Sequence, residues 1–211
     1  MRYRMEQILT SSSLRSSGVS NFQFCLVKQK RYNMRSFISF LFIVLYSYVH
    51  AQIYAPVDAT SEVSFKIKNF GSTVDGKFTG LKGTINFDAS NPSTAIFDAT
   101  IDVATIDTGI GMRDNHLRKP DYFDATEFPT IRFVSTKVEK SGKLNEAIVT
   151  GKLTIKRTTK EISFPFRYGE TNGTLQLTGK FKINRKDFGV GTNSFSLADE
   201  LIVLLDVRAS K

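Results

Sequence analysis

From Gln52 onward the sequence predicts an all-β, antiparallel fold, and three observations carry that prediction. Eight segments alternate apolar and polar residues with a period of two, the pattern of half-buried strands. The links between them are short and carry turn chemistry, as in Ser90-Asn91-Pro92, Ser141-Gly142-Lys143 and Glu170-Thr171-Asn172-Gly173, which makes successive strands antiparallel neighbours. Only one stretch, roughly Gly111–Lys119, reads as a helix, and it stops before Pro120.

The strands follow in order. Val63, Phe65 and Ile67 oppose Glu62, Ser64, Lys66 and Lys68. Leu81, Gly83, Ile85 and Phe87 oppose Lys82, Thr84, Asn86 and Asp88, and Phe97, Ala99, Ile101 and Val103 oppose Asp98, Thr100 and Asp102. After a long insert, Ile131 and Phe133 oppose Thr130 and Arg132. Val149, Gly151, Leu153 and Ile155 oppose Thr150, Lys152, Thr154 and Lys156. Ile162, Phe164, Phe166 and Tyr168 come next, with Pro165 marking an edge or a bulge because it offers no ladder donor. Leu175, Leu177, Phe181 and Ile183, then Leu201, Val203, Leu205 and Val207, complete the set. One clean polar face per strand means a single interior. Eight such strands close as a barrel or stack as a sandwich, and the pattern leaves both open.

The ends of the chain change how its charge is read. Residues 34–51, MRSFISFLFIVLYSYVHA, are expected to be a secretory signal peptide: Arg35, an apolar run from Phe37 to Val49, and Ala51 before the cut. A run of 13 residues falls short of the roughly 20 that span a bilayer. Residues 1–33 are polar, serine-rich and basic, and are expected to be either an over-long start, with translation from Met34, or a disordered extension. Residues 52–211 then form the one domain, periplasmic or secreted. Of the 29 basic and 20 acidic residues, seven and one precede Gln52, leaving 22 and 19 and a net charge of +3. That is no nucleic-acid footprint, and no stable membrane span is expected.

Counting excludes most chemistry. Beyond residue 51 there is one histidine, His116, and no cysteine, since Cys25 lies in the leader. A zinc site takes three or four ligands and a nucleophile–histidine pair needs a third, orienting group, so no metal, no cofactor and no catalytic residue are expected. Asp98 and Asp102 lie on an outward strand face, and Asp124 reads as a turn acid. The Gly189-Val190-Gly191 run has no helix after it and reads as a turn.

Two features remain. One is the insert Thr108–Phe133, long and irregular among strands, with mixed charge around Arg113, Asp114, His116 and Arg118. The other is the inner face, which collects phenylalanine at inward positions. A packed core explains each Phe singly. The alternative is a barrel with a tunnel for an apolar ligand, with Met112, Leu117 and Phe123 at its mouth and a few polar groups at its rim.

The order of motifs resembles the YceI-like family of exported lipid-binding proteins. The matching residues are Ser61–Asp88, Met112–Phe133, Gly151–Phe166 and Asn184–Gly191. Two departures are Asn69, where the family often has His, and Arg157-Thr158-Thr159-Lys160, where it often has Gly-Val-Thr-Lys. The resemblance implies an extended, eight-stranded, lipocalin-like antiparallel barrel with one short helix in a long loop. It also implies a non-catalytic carrier whose ligand is an isoprenoid, such as a quinone or polyprenyl tail, or another long-chain amphiphile. On that reading the tail lies against Phe65, Ile67, Phe87, Phe97, Ile101, Phe133 and Leu153, and against Phe164, Phe166, Leu177 and Phe181. Met112, Leu117 and Phe123 guard the mouth, and Arg113, Asp114 and His116 meet the polar end. A monomer or homodimer is expected. The competing expectation is an exported, stress-related interaction module with a solid core.

Overall fold

The computed structural model describes residues 52–211; the expected signal peptide and the segment before it lie outside them. Ten antiparallel strands are formed: β1 (Gln52–Pro56), β2 (Glu62–Asn69), β3 (Ser72–Phe78), β4 (Lys82–Phe87), β5 (Ile96–Asp102), β6 (Thr130–Lys140), β7 (Glu146–Ile155), β8 (Thr158–Thr171), β9 (Thr174–Asn184) and β10 (Leu197–Ser210). The one α-helix among the described residues is α1 (Gly111–Leu117), inside the insert.

Eight of these strands close a ring. Strand β1 pairs with β4 through Tyr54↔Ile85 and with β10 through Ala55↔Ser210, so the ring runs β1-β4-β5-β6-β7-β8-β9-β10. The expected eight-stranded antiparallel barrel is therefore present. Its membership differs from the sequence reading in one respect. A single helical turn at Asp58–Thr60 breaks the first long strand in two, so β1 closes the ring while β2 runs on along β10 from Asp206↔Glu62 to Leu197↔Asn69. β3 folds back on β2 and is held at Lys77↔Asp107 by the chain leaving β5.

The interior has two halves. One is solid: Tyr54, Ile85, Phe87, Phe97, Ala147, Val149, Phe166, Leu175 and Leu177 are buried together, and Phe87, Phe97, Phe166 and Tyr168 meet ring to ring. The other half gathers Phe78, Leu81, Ile101, Ile106, Ile131, Leu153, Phe188 and Val190 beneath the insert. Side chains from Phe133 and Val207 touch both.

Candidate functional site, an apolar cavity

The second half is hollow. A cavity of about 220 Å³ lies between β2, β5, β6, β9 and β10. Its walls include Val63, Phe65 and Ile67 from β2, Phe181 and Ile183 from β9, and Leu201, Val203, Leu205 and Val207 from β10. All of these follow the inward period of two, yet all except Ile67 are only half-buried. Inward aliphatics in a filled core lose nearly all their exposure, so the residual exposure on β9 and β10 is the signature of empty space.

Glycines explain why the rings leave that space. Phe65 lies across Gly76 of the next strand, its Cζ 2.3 Å from where a Cβ would sit. Phe133 lies across Gly151 in the same way, at 2.5 Å, and Phe164 borders Gly179 at 3.3 Å. All three glycines occupy inward positions on their strands. With no Cβ beneath them, the rings lie along the wall instead of standing into the lumen.

The polar contribution to the lining is small. Apart from Ser64 and Thr100, the one polar side chain there is Arg185, 3 % exposed, which the sequence reading did not single out. Its guanidinium donates to the carbonyls of Ala198 at 3.0 Å, Val190 at 3.0 Å and Thr192 at 2.9 Å, and to Asp199 Oδ1 at 2.9 Å. Arg185 thus spends its donors pinning the chain between β9 and β10 and presents mainly its stem to the cavity. Lys186, whose Nζ also reaches Asp199 at 2.7 Å, holds that carboxyl below the usual carboxylate range, with Arg185 assisting. The Asn184–Gly191 motif carried the signal for Arg185; its burial was not readable.

The insert covers this end and is fixed there. Lys156, at the β7–β8 turn, donates through Nζ to Pro120 O at 2.9 Å and Gly189 O at 3.2 Å. Gly191 N–H donates to Asp121 O at 2.9 Å. Arg157 pairs with Glu127 and lies 5.0 Å from the centre of the Phe128 ring.

The structure brings Phe65, Ile67, Ile101, Phe123, Phe133, Leu153, Phe164 and Phe181 together around the cavity. It places Phe87, Phe97, Phe166 and Leu177 in the solid half. Leu117 packs under the insert against the hollow half's core, outside the cavity lining, and Met112 is 84 % exposed. The three polar residues lie away from the cavity too. Asp114 is buried and accepts from Thr108 N–H at 2.9 Å, while Arg113 donates from Nε to Thr108 Oγ1 and from Nη2 to its carbonyl, both at 2.7 Å. These bonds close the start of α1 on itself. His116 is exposed, edge-on to Tyr122 at 5.0 Å. Among the described residues no cluster of His, Cys, Asp or Glu could hold a metal, and no helix is long and apolar enough to cross a membrane.

Fold and hollow together define an antiparallel β-barrel with an apolar internal cavity. The chain belongs to the YceI-like family: the YceI-like domain matches residues 54–209. It is similar to Protein YceI of Shigella flexneri, with 31% identity over 155 residues that cover 69% of this chain and 79% of that protein. Among solved structures it is similar to Burkholderia cenocepacia BcnA, with 30% identity, a TM-score of 0.70 and coverage of 74% of this chain and 99% of that one. A polyisoprenoid binding domain from Saccharophagus degradans shares the fold, with 14% identity, a TM-score of 0.61 and coverage of 74% and 97%.

Proposed function

We propose that this chain is an exported, non-catalytic binding protein for an amphiphile with a long apolar chain, an isoprenoid foremost. The observation that carries the reading is the hollow itself, with half-buried apolar side chains on β9 and β10 and rings whose edges reach over glycines. Burial of a tail gains about 0.8 kcal/mol per CH₂, and no charged group in the lining must be desolvated for it, because Arg185 is already satisfied. An apolar cavity of ~150 Å³ takes a ligand the size of benzene. At about 220 Å³ this one accommodates a section of a longer chain. The isoprenoid class is supported by family membership and by the polyisoprenoid binding domain that shares the fold. Periplasmic or secreted residence follows from the signal-like segment at 34–51.

The test is mass spectrometry of an organic extract of the protein, purified without detergent from the cells that make it. A stoichiometric long-chain isoprenoid or quinone supports the reading. A lipid-free extract, together with no uptake of added quinone, would overturn it in favour of an interaction module.

A further inference from the structure

The β8–β9 ladder runs from Thr171↔Thr174 to Phe166↔Gly179 and goes no further. Beyond it, Thr158–Pro165 is laddered only to β7, and Lys180–Asn184 only to β10. Pro165, which offers no N–H, stands at the stop. What spans the gap is a ring stack: Phe164 and Phe181, opposite each other by extension of the register, lie 4.3 Å apart at 20°. Both rings line the cavity.

Outside the barrel, at the same place, a groove of about 460 Å³ crosses Pro165, Arg167, Gly179 and Lys180. Arg167 and Lys180 are diagonal neighbours on the outward face, and neither is ion-paired among the described residues. Of the acids in the groove, Glu146 meets Lys143 at 3.4 Å, while Glu62 and Asp206, the latter accepting from the neutral Gln176 amide at 2.8 Å, keep their charge beside the two cations.

The geometry points to this seam as the ligand's side entrance, and to Arg167 and Lys180 as the seat of its polar end. The tail passes between Phe164 and Phe181 into the cavity. Outside, a hydroxyl, carbonyl or phosphate oxygen accepts hydrogen bonds from the two cations. Parting two laddered strands breaks hydrogen bonds. Parting these two between Pro165 and the Lys156–Gly189 link breaks the ring contact but no ladder hydrogen bond. The insert end, by contrast, is tied down through Lys156 and Gly191. This assignment rests on the lipid-binding reading and departs from the expectation that the insert meets the headgroup.

Ser163 and Lys182 fall opposite each other across the seam by the same register. Ser163→Cys with Lys182→Cys, in a Cys25→Ser background, allows the seam to be locked by a disulfide. The probe is geranylgeraniol, its uptake followed by tyrosine fluorescence. The expected result is at least tenfold slower uptake by the oxidised protein, restored by reduction. In the otherwise unaltered chain, Arg167→Ala with Lys180→Ala is expected to weaken geranylgeraniol at least fivefold and to leave the matching hydrocarbon, which lacks the hydroxyl, unchanged. If the disulfide does not form, Phe181→Ala takes its place and is expected to speed uptake and release by the same factor. Equal rates in a verified crosslink, a Phe181→Ala effect confined to release, or equal loss of alcohol and hydrocarbon would overturn the assignment. No uptake by the reduced protein would instead sink the lipid-binding reading, and the entrance with it.

Discussion

The tip of the Phe133 ring reaches over Gly151, with its Cζ 2.5 Å from the point a Cβ would occupy and the Val134 carbonyl oxygen 2.6 Å from that point. Neither ring nor backbone leaves room for a methyl group. Gly151→Ala is therefore expected to lift the ring into the cavity, costing about 1–3 kcal/mol. Ligand capacity falls together with stability. Urea denaturation and a binding titration on one preparation check both; unchanged affinity would mean that the ring does not border the ligand.

Adding volume separates the two halves of the interior. Val203 faces empty space, so Val203→Phe is expected to fill the cavity, leave stability within about 1 kcal/mol and weaken ligand binding more than tenfold. Ala147, fully buried in the solid half, tolerates no such change, and Ala147→Leu should cost about 1–3 kcal/mol. Similar losses in both variants would argue that the barrel is filled throughout.

Tail length gives a third check. Affinity is expected to rise by about 0.8 kcal/mol per CH₂ while the cavity fills, then level off. Calorimetry over a series of alcohols of increasing length reads this directly, and a rise without plateau would place part of the tail in the half that is solid here.

Arg185 holds the chain between β9 and β10, and its removal leaves the carbonyls of Ala198, Val190 and Thr192 without this donor and Asp199 with Lys186 alone. Arg185→Met is expected to cost about 1–3 kcal/mol through the carbonyls left without a donor, and amide exchange at residues 190–199 should rise first. Uniform exchange across all strands would make the effect global instead.

Asp98 on β5 and Arg132 on β6 form a two-pronged pair, Nε to Oδ1 at 2.9 Å and Nη2 to Oδ2 at 2.6 Å. The bond from Arg132 holds the Asp98 carboxyl below its ordinary value. A depressed folded-state pKa stabilises at pH above the unfolded carboxylate's value, and that contribution is lost as the pH falls through the folded value. The pair is solvent-exposed, so the effect is small. Asp98→Asn should be less stable than the parent at neutral pH and should close the gap in acid. A gap independent of pH would assign the loss to packing.

How much of this was legible before the coordinates depends on which physics each feature follows. Eight strands and α1 were legible because burial of one face imposes a period, and period is a property of sequence. β1 and β3 were not. QIYAP ends on proline, and STVDGKF carries Asp75 and Gly76, so neither shows a convincing alternation. The difference between Phe65 beside a cavity and Phe87 in a solid core was equally hidden, since both are inward phenylalanines. It depends on whether glycine stands beneath the ring, which is a matter of cross-strand register. Gly76, Gly151 and Gly179 at inward positions were the available signal. The charged run in the insert promised a polar rim. Asp114 and Arg113 instead fold onto Thr108, whose N–H donates to the carboxylate while its hydroxyl and carbonyl accept from the guanidinium.

The ring is sealed by Ala55↔Ser210 and Pro56↔Ala209, pairs that join the two ends of the domain. Every other link of the ring is between strands that are neighbours, or nearly so, along the chain. A polypeptide growing from its N-terminus can therefore build most of the wall early but cannot shut it until residues 209 and 210 are free to dock. Until β10 docks, β1 and β2 each show an unpaired edge. A chain lacking all of β10 is expected to remain an open, adhesive sheet, so the strand that docks last is also the one that keeps the protein safe from its own copies.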